Sequence, residues 1–70
     1  MDCIESPESS SIVRFCYDGR KEILRVEFQN GGVYNYYDVP DSVFKQMSQA
    51  SSKGKFFMDN VREEYDYMRV

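Results

Sequence analysis

The stretch that decides the fold is residues 31–40, GGVYNYYDVP. Its two glycines are typical of a tight turn between strands. The tyrosines and valines that follow favour an extended strand over residues 33–39. Pro40 ends that strand because it has no backbone N–H to give to a sheet, and proline is well accepted in the first turn of a helix. The stretch therefore predicts a turn, a strand and the start of a helix.

Two segments before this stretch alternate with the two-residue period of a β-strand. In residues 11–17, one face holds Val13, Phe15 and Tyr17 and the other holds Ile12, Arg14 and Cys16. In residues 22–29, the inward face holds Leu24, Val26 and Phe28 and the outward face holds Ile23, Arg25 and Glu27. The turns at residues 18–19 and 30–32 are short, so the three strands must form an antiparallel meander.

The length of the second turn decides which side chains of the third strand are buried. A two-residue loop would place Asn35 on the face of Val26 and Phe28, whereas a three-residue loop with a left-handed glycine shifts the register by one. Tyr34 and Tyr36 then join that face. Burying an unpartnered asparagine costs about 1–3 kcal/mol, while tyrosine rings add buried apolar area. We therefore predict the three-residue loop, with both tyrosines in the core and Asn35 exposed.

Helical patterns follow Pro40. A stripe with helical spacing is formed by Val43, Phe44, Met47 and Ala50, and Gly54 is typical of a C-terminal cap. A second, shorter helix is predicted over residues 56–63, and residues 65–70 alternate as a fourth strand would. The predicted fold class is α+β, an antiparallel three- to four-stranded β-meander packed against one or two short helices.

The 70-residue length allows a single domain. Residues 1–10 contain few apolar side chains, so we predict a flexible N-terminal tail there and the domain over residues 11–70. No apolar run approaches the length of a membrane span, and the acidic N-terminus is unlike a secretory signal, so we expect a cytoplasmic protein with no membrane partner. Cys3 falls in the predicted tail, and we expect it and Cys16 to be free thiols in a reducing compartment.

The residue types needed for catalysis are scarce. The sequence has no histidine, which removes the commonest general base and metal ligand. Its two cysteines lack the CxxC spacing of zinc and dithiol sites, and no glycine-rich phosphate loop joins a strand to a helix. We predict a protein that is not an enzyme, with no metal, no cofactor and no small-molecule substrate.

The motifs of the chain, taken in order, resemble those of the KTSC domain family. The matching residues are Tyr17-Asp18, preceded by Cys16 where the family has glycine; Tyr34-Asn35-Tyr36; Val39-Pro40; Ala50, Ser52 and Gly54 ahead of Phe56 or Phe57; and Val61-Arg62, with Tyr65 beyond. The family is named for the C-terminal region of some lysyl-tRNA synthetases, and it also occurs as small free-standing bacterial or phage proteins. The resemblance implies RNA binding.

Two surfaces could carry binding. The outward sheet face places Arg25 beside Tyr37, where a ring could stack on a base. Lys53, Lys55 and Arg62 flank the second helix and could hold a phosphate or carboxylate. Ordinary solvated charge, or pairing of Arg62 with a neighbour such as Asp59, is the simpler interpretation. Tyr34 and Tyr36 could also stack on bases, but core packing is the simpler interpretation.

Two classes of function remain open. The first is RNA binding through either of these surfaces, although a net charge of −3 argues against broad affinity for phosphate backbone. The second is protein interaction or self-association as a homodimer, without a nucleic-acid role. It would use a sheet edge or an apolar patch formed by Ile12, Cys16, Ile23, Val33 and Tyr37.

Overall fold

The computed structural model describes all residues from Met1 to Val70. Its elements are β1 (Asp2–Glu5), β2 (Ile12–Asp18), β3 (Ile23–Phe28), β4 (Val33–Tyr36), α1 (Asp41–Gln49), α2 (Lys53–Asn60) and β5 (Tyr67–Arg69). The five strands form one antiparallel sheet whose order follows the chain, β1-β2-β3-β4-β5. The predicted α+β meander is confirmed, with one strand more than expected.

The additional strand lies in the segment predicted to be a flexible tail. Residues Asp2–Glu5 pair with β2, and the backbone N–H of Ser6 donates to the Val13 carbonyl oxygen at 2.9 Å. Cys3 lies opposite Cys16, and the two form a disulfide. The prediction of free thiols is therefore wrong, because it depended on Cys3 lying in a loose tail. Composition does not reveal the backbone hydrogen bonds that a polar segment gains along an exposed strand edge.

A β-bulge between Ile12 and Arg14 changes the alternation of β2. Phe15 and Tyr17 are buried on the core face, as predicted. Ile12 was assigned to the opposite face, but it is fully buried in the core, while Val13 is only partly buried. A bulge places two residues opposite one, so the period of two is lost at that point.

The predicted register of β4 is confirmed. Gly31 has a φ of 93°, and the N–H of Phe28 donates to the Gly32 carbonyl oxygen at 2.8 Å across a three-residue loop. Tyr34 consequently lies opposite Val26 and Tyr36 opposite Leu24. Tyr36 is only 4% exposed. Asn35 lies on the other face, where its Oδ1 accepts a 3.0 Å hydrogen bond from Arg25 Nε.

Both helices cover the same face of the sheet. In α1, the ring of Phe44 stacks on Tyr17 with centroids 5.0 Å apart, and Met47 is fully buried. In α2, Phe57 makes edge contacts with Phe28 and Tyr36 at 5.4 and 5.2 Å. Neither helix is long and apolar enough to cross a membrane. The opposite face, which we call the outer sheet face, is left without a covering layer.

The boundary between the helices differs from the prediction. Gly54 lies in the first turn of α2 and does not cap α1, and α2 begins at Lys53 rather than at residue 56. A Cβ atom at Gly54 would lie 2.8 Å from Ser11 Oγ and 3.2 Å from Ser9 Oγ. The absence of a side chain therefore lets α2 approach the β1–β2 connection closely. The side chain of Ser52 caps the helix by accepting from the N–H of Lys55.

Candidate binding groove

An open groove of about 940 Å³ lies between the β4–β5 side of the sheet and the C-terminal end of α2. We call it the aromatic groove because half of its lining residues are aromatic. These are Phe28, Tyr34, Tyr36, Phe57, Tyr65 and Tyr67, and the other lining residues are Ser11, Asn30, Met58, Arg62, Glu63 and Asp66.

The pairing of β4 with β5 builds one wall of the aromatic groove. Tyr36 lies opposite Tyr67, and Tyr34 lies opposite Arg69. The ring of Tyr67 is 5.5 Å from that of Tyr36 and 5.8 Å from that of Tyr34, and the guanidinium carbon of Arg69 lies 5.9 Å from the Tyr34 ring centroid. Because residues two apart in a strand share a face, the ring of Tyr67 and the guanidinium of Arg69 lie next to each other on β5.

The rings of the aromatic groove differ in exposure. Tyr36 and Phe57 are buried and belong to the core, whereas Tyr67 is 60% exposed. Burial raises the pKa of Tyr36, the neighbouring Tyr67 and Tyr34 raise it further, and Arg62 opposes this rise. Tyr36 and Phe57 at the floor of the groove therefore contribute to the core, whereas the ring of Tyr67 is accessible from solvent.

Arg62 follows the C-terminal end of α2 and lines the aromatic groove. It makes no salt bridge, and its one side-chain hydrogen bond is a long 3.8 Å donation from Nη1 to Met58 Sδ. Asp59, which the sequence suggested as a partner for Arg62, instead binds Lys55 at 3.1 Å. The guanidinium of Arg62 is therefore not held by a carboxylate of the chain.

The structure does not gather the three predicted cations into one site. Lys53 lies at the start of α2, where its Nζ donates to the Ala50 carbonyl oxygen at 3.0 Å. There it borders a small polar depression that also includes Glu5 and Glu8. Lys55 is engaged by Asp59, and Arg62 lies beyond the other end of the helix. Arg25 and Tyr37, the other two residues predicted for binding, lie apart from these cations.

Arg25 belongs to the outer sheet face, on the side of β3 away from the helices. Its side chain is exposed and held by Asn35. Tyr37 follows β4 and is half-buried, and its backbone N–H donates to the Asp66 carbonyl oxygen at 2.9 Å. Neither residue lines the aromatic groove.

Sequence reasoning did not identify Tyr67 and Arg69 as candidate site residues. Their spacing of two was visible as an alternating pattern in residues 65–70. The pattern alone does not show which strand they pair with, because residues 37–66 separate β4 from β5. Their proximity to Tyr34 and Tyr36 follows only from the sheet order.

The family model of the KTSC domain matches residues 8–65. The chain belongs to the KTSC domain family. The resemblance expected from the motifs is thereby confirmed, and the structure explains two of them. Tyr34 and Tyr36 of the Tyr-x-Tyr motif face the core, and Gly54 permits close packing of α2.

Relatives of this KTSC domain include both large and small proteins. It is 36% identical over 64 residues to a lysine–tRNA ligase of Nostoc punctiforme, covering 91% of this chain but 11% of the ligase. It is also 36% identical to a small protein of Stutzerimonas stutzeri, with 90% of each chain covered. The crystal structure of a KTSC domain protein from Yersinia pestis superposes with a TM-score of 0.89 at 28% identity, covering 97% of both chains. The chain thus spans about a tenth of the ligases it matches, and free-standing relatives of its own size exist.

Proposed function

We propose that this KTSC domain is a non-catalytic module that binds a short single-stranded RNA segment in the aromatic groove. The observation that carries the proposal is the grouping of an exposed ring, Tyr67, with two arginines, Arg62 and Arg69, neither of which is paired with a carboxylate. The similarity to part of a lysine–tRNA ligase supports an RNA ligand. A cytoplasmic location would suit such a ligand.

The chemistry of the groove suits bases better than a duplex backbone. A base stacked on an aromatic side chain contributes about 1–3 kcal/mol, and stacking tolerates any base. Arg62 lines the groove, and Arg69 lies next to it beside the Tyr34 ring, so each can contact a phosphate. Glu63 and Asp66, which also line the groove, repel a continuous run of phosphates. We therefore expect modest affinity and weak sequence preference. Two phosphate contacts on a single strand predict a slope of log affinity against log salt of about −1.4.

Fluorescence anisotropy with short labelled RNA strands tests this proposal. Tyr67→Ala should weaken binding by roughly 5- to 150-fold, the range that corresponds to one lost stacking contact. Arg62→Gln with Arg69→Gln should weaken binding and flatten the salt dependence. The matched control is Arg20→Gln, since Arg20 lies on the β2–β3 turn outside the groove and its side chain makes no salt bridge.

Two results would refute RNA binding in the groove. One is the absence of binding to any single-stranded RNA at low salt. The other is an affinity that is unchanged by Tyr67→Ala and by the double arginine replacement. If Lys53→Gln weakens binding while those variants do not, the ligand instead lies near the start of α2, beside Lys53.

A second candidate function is self-association through the outer sheet face. Met68 and Val70 are 61% and 58% exposed, and Met68 lies opposite Asn35 on that face. Ile23 and Val33, which are half-buried, share the same face by strand alternation. Ile12 and the disulfide-bonded Cys16 are buried and do not contribute. Exposed and half-buried apolar side chains on one uncovered sheet face are typical of interaction surfaces.

Sedimentation velocity at micromolar to millimolar concentration tests self-association. A homodimer would have twice the 8.3 kDa mass of the chain, and Ile23→Asp with Tyr37→Asp should return it to a monomer. A monomer at every concentration would rule out self-association. A dimer that persists in the double variant would place the interface elsewhere, for example at a free strand edge.

A further inference from the structure

Strand β1 is attached to the sheet by few side-chain contacts. It is an edge strand that pairs only with β2. Three of its four residues are exposed, and Ile4, which is partly buried, packs against the core. The salt bridge from Glu5 to Arg14 spans 3.8 Å between exposed side chains, and Arg14 lies closer to Glu27, at 3.2 Å. Apart from the backbone pairing with β2, the other link is the Cys3–Cys16 disulfide, which joins β1 covalently to β2.

The core itself does not depend on β1. Its ten buried residues begin at Ile12 and come from β2 through the segment after α2. β2, β3 and β4 pair with one another independently of the N-terminal strand. Loss of β1 would therefore remove one peripheral apolar contact and one set of backbone hydrogen bonds, while the helices and the other four strands remain packed.

We propose that the Cys3–Cys16 disulfide is a redox-controlled latch for β1. When the disulfide is intact, β1 covers the edge of β2. When it is reduced, β1 detaches and the edge of the seven-residue strand β2 becomes free. An unpaired strand edge exposes N–H and C=O groups that can accept another strand. The redox state of the Cys3–Cys16 pair thus determines whether the edge of β2 is paired with β1 or unpaired.

The exposure of the two sulfur-bearing residues suits the chemistry of reduction. Cys3 is exposed, whereas Cys16 is only 7% exposed. A thiolate of a dithiol reductant can attack the Cys3 sulfur, forming a mixed disulfide as Cys16 leaves as a thiolate. The second thiol of the reductant then attacks the reductant sulfur that is bonded to Cys3, and Cys3 leaves as a thiolate. The thiolates of Cys3 and Cys16 each take up a proton. The protein gains two electrons and two protons, and the dithiol becomes a cyclic disulfide.

Amide hydrogen exchange of the full chain, followed by NMR in the oxidised and reduced states, tests the latch. The reporter is the Ser6 N–H, which is bonded to the Val13 carbonyl oxygen when β1 is docked. Reduction with dithiothreitol should accelerate its exchange at least tenfold, while the amides of β3 and β4 keep their protection. A Cys3→Ser variant should exchange rapidly at Ser6 whether or not reductant is present.

Three results would overturn the latch. Equal protection of Ser6 in both redox states would show that β1 remains docked without the disulfide. Simultaneous loss of protection in β3 and β4 would show that reduction unfolds the domain as a whole. Complete alkylation of both cysteines in protein kept under air would show that the disulfide does not form. Since the first two readouts use reduced native protein, the test does not depend on the variant folding.

Discussion

The phenol of Tyr17 donates a 2.6 Å hydrogen bond to the carbonyl oxygen of Val39. Both residues are buried, and Phe44 stacks on the Tyr17 ring. This bond ties β2 to the residue that precedes Pro40, so it helps to set where α1 begins. It also joins two sequence motifs of the KTSC family, the tyrosine before an aspartate and the valine before a proline.

Replacing Tyr17 with phenylalanine should lower the free energy of unfolding by about 1–2 kcal/mol. The ring and its stacking are retained, but the buried carbonyl oxygen of Val39 loses its donor. Urea denaturation followed by circular dichroism measures the change. Tyr37→Phe is the matched control, because Tyr37 is half-buried and its hydroxyl makes no hydrogen bond within the chain. Equal stability of the Tyr17 variant and the native protein would argue against this role.

Stability should decrease at alkaline pH. Burial, reinforced by Glu22, Asp41 and Asp18, raises the pKa of Tyr17 above its ordinary value, and burial also raises the pKa of Tyr36. In the unfolded chain these phenols ionise near pH 10, so above that pH the unfolded state releases protons that the folded state retains. The free energy of unfolding is therefore unaffected by these groups below about pH 10 and falls as the pH rises towards their folded pKa values.

Thermal unfolding between pH 8 and pH 11 measures this dependence. Tyr17→Phe removes one of the two groups, so its melting temperature should fall less steeply above pH 10 than that of the native protein. An identical slope in the two proteins would show that Tyr17 does not contribute to the alkaline loss of stability.

The two tyrosines of the Tyr-x-Tyr motif should differ in their contribution to stability. Tyr36 is 4% exposed and packs against Phe57, whereas Tyr34 is half-buried at the groove. Tyr36→Ala should cost about 3–5 kcal/mol, as expected for deletion of a large core ring, which would leave most molecules of a 70-residue domain unfolded. Tyr34→Ala should be clearly milder. Circular dichroism melts of both variants give the comparison, and an unchanged melting temperature for Tyr36→Ala would contradict its place in the core.

Gly54→Ala should destabilise the domain even though alanine is the better helix former. The new Cβ would lie 2.8 Å from Ser11 Oγ, so α2 or the β1–β2 connection must shift, and we expect a loss of about 1–2 kcal/mol. Adding Ser11→Ala removes the oxygen at the point of contact and should restore most of this loss. If Gly54→Ala alone is stabilising, the approach of α2 to this connection is looser than the structure indicates.

Duplex DNA should bind weakly or not at all near physiological salt. The nine basic residues are outnumbered by twelve acidic ones, and Arg14, Lys45 and Lys55 are held in salt bridges. Six basic residues are left to displace counterions from a duplex. A gel-shift or anisotropy titration in about 0.15 M salt checks this, and tight binding there would contradict the expectation and indicate a continuous basic surface.

The parts of the fold that the sequence predicts are those governed by local alternation and by the cost of burying polar groups. The placement of Tyr36 and Asn35 on opposite faces followed from both. Ile12 was misplaced because a bulge interrupts the alternation without a glycine or proline to mark it. β1 was missed because its order comes from backbone pairing and a disulfide rather than from apolar content.

The aromatic groove could be predicted only in part. Tyr34, Tyr36 and Arg62 were recognised as candidate residues, but they were assigned to different surfaces. The packing of α2 on the sheet brings Arg62 to the two tyrosines, and the pairing of β5 with β4 places Tyr67 beside them. Both are contacts between segments far apart in the chain. Alternation within β5 shows which of its side chains share a face, but it contains no information on the neighbouring strand.

The strand order of the sheet also bears on how the chain folds. Each strand from β1 to β4 pairs with the one next to it in sequence, so these hairpins close short loops, and local closure favours rapid folding. Only β5 must find its partner across residues 37–66, a segment that contains both helices. We therefore expect the β2–β4 hairpins and α1 to form in the transition state and β5 to dock last. Tyr67 and Arg69 would then reach their positions in the final step, and replacing them should accelerate unfolding rather than slow folding.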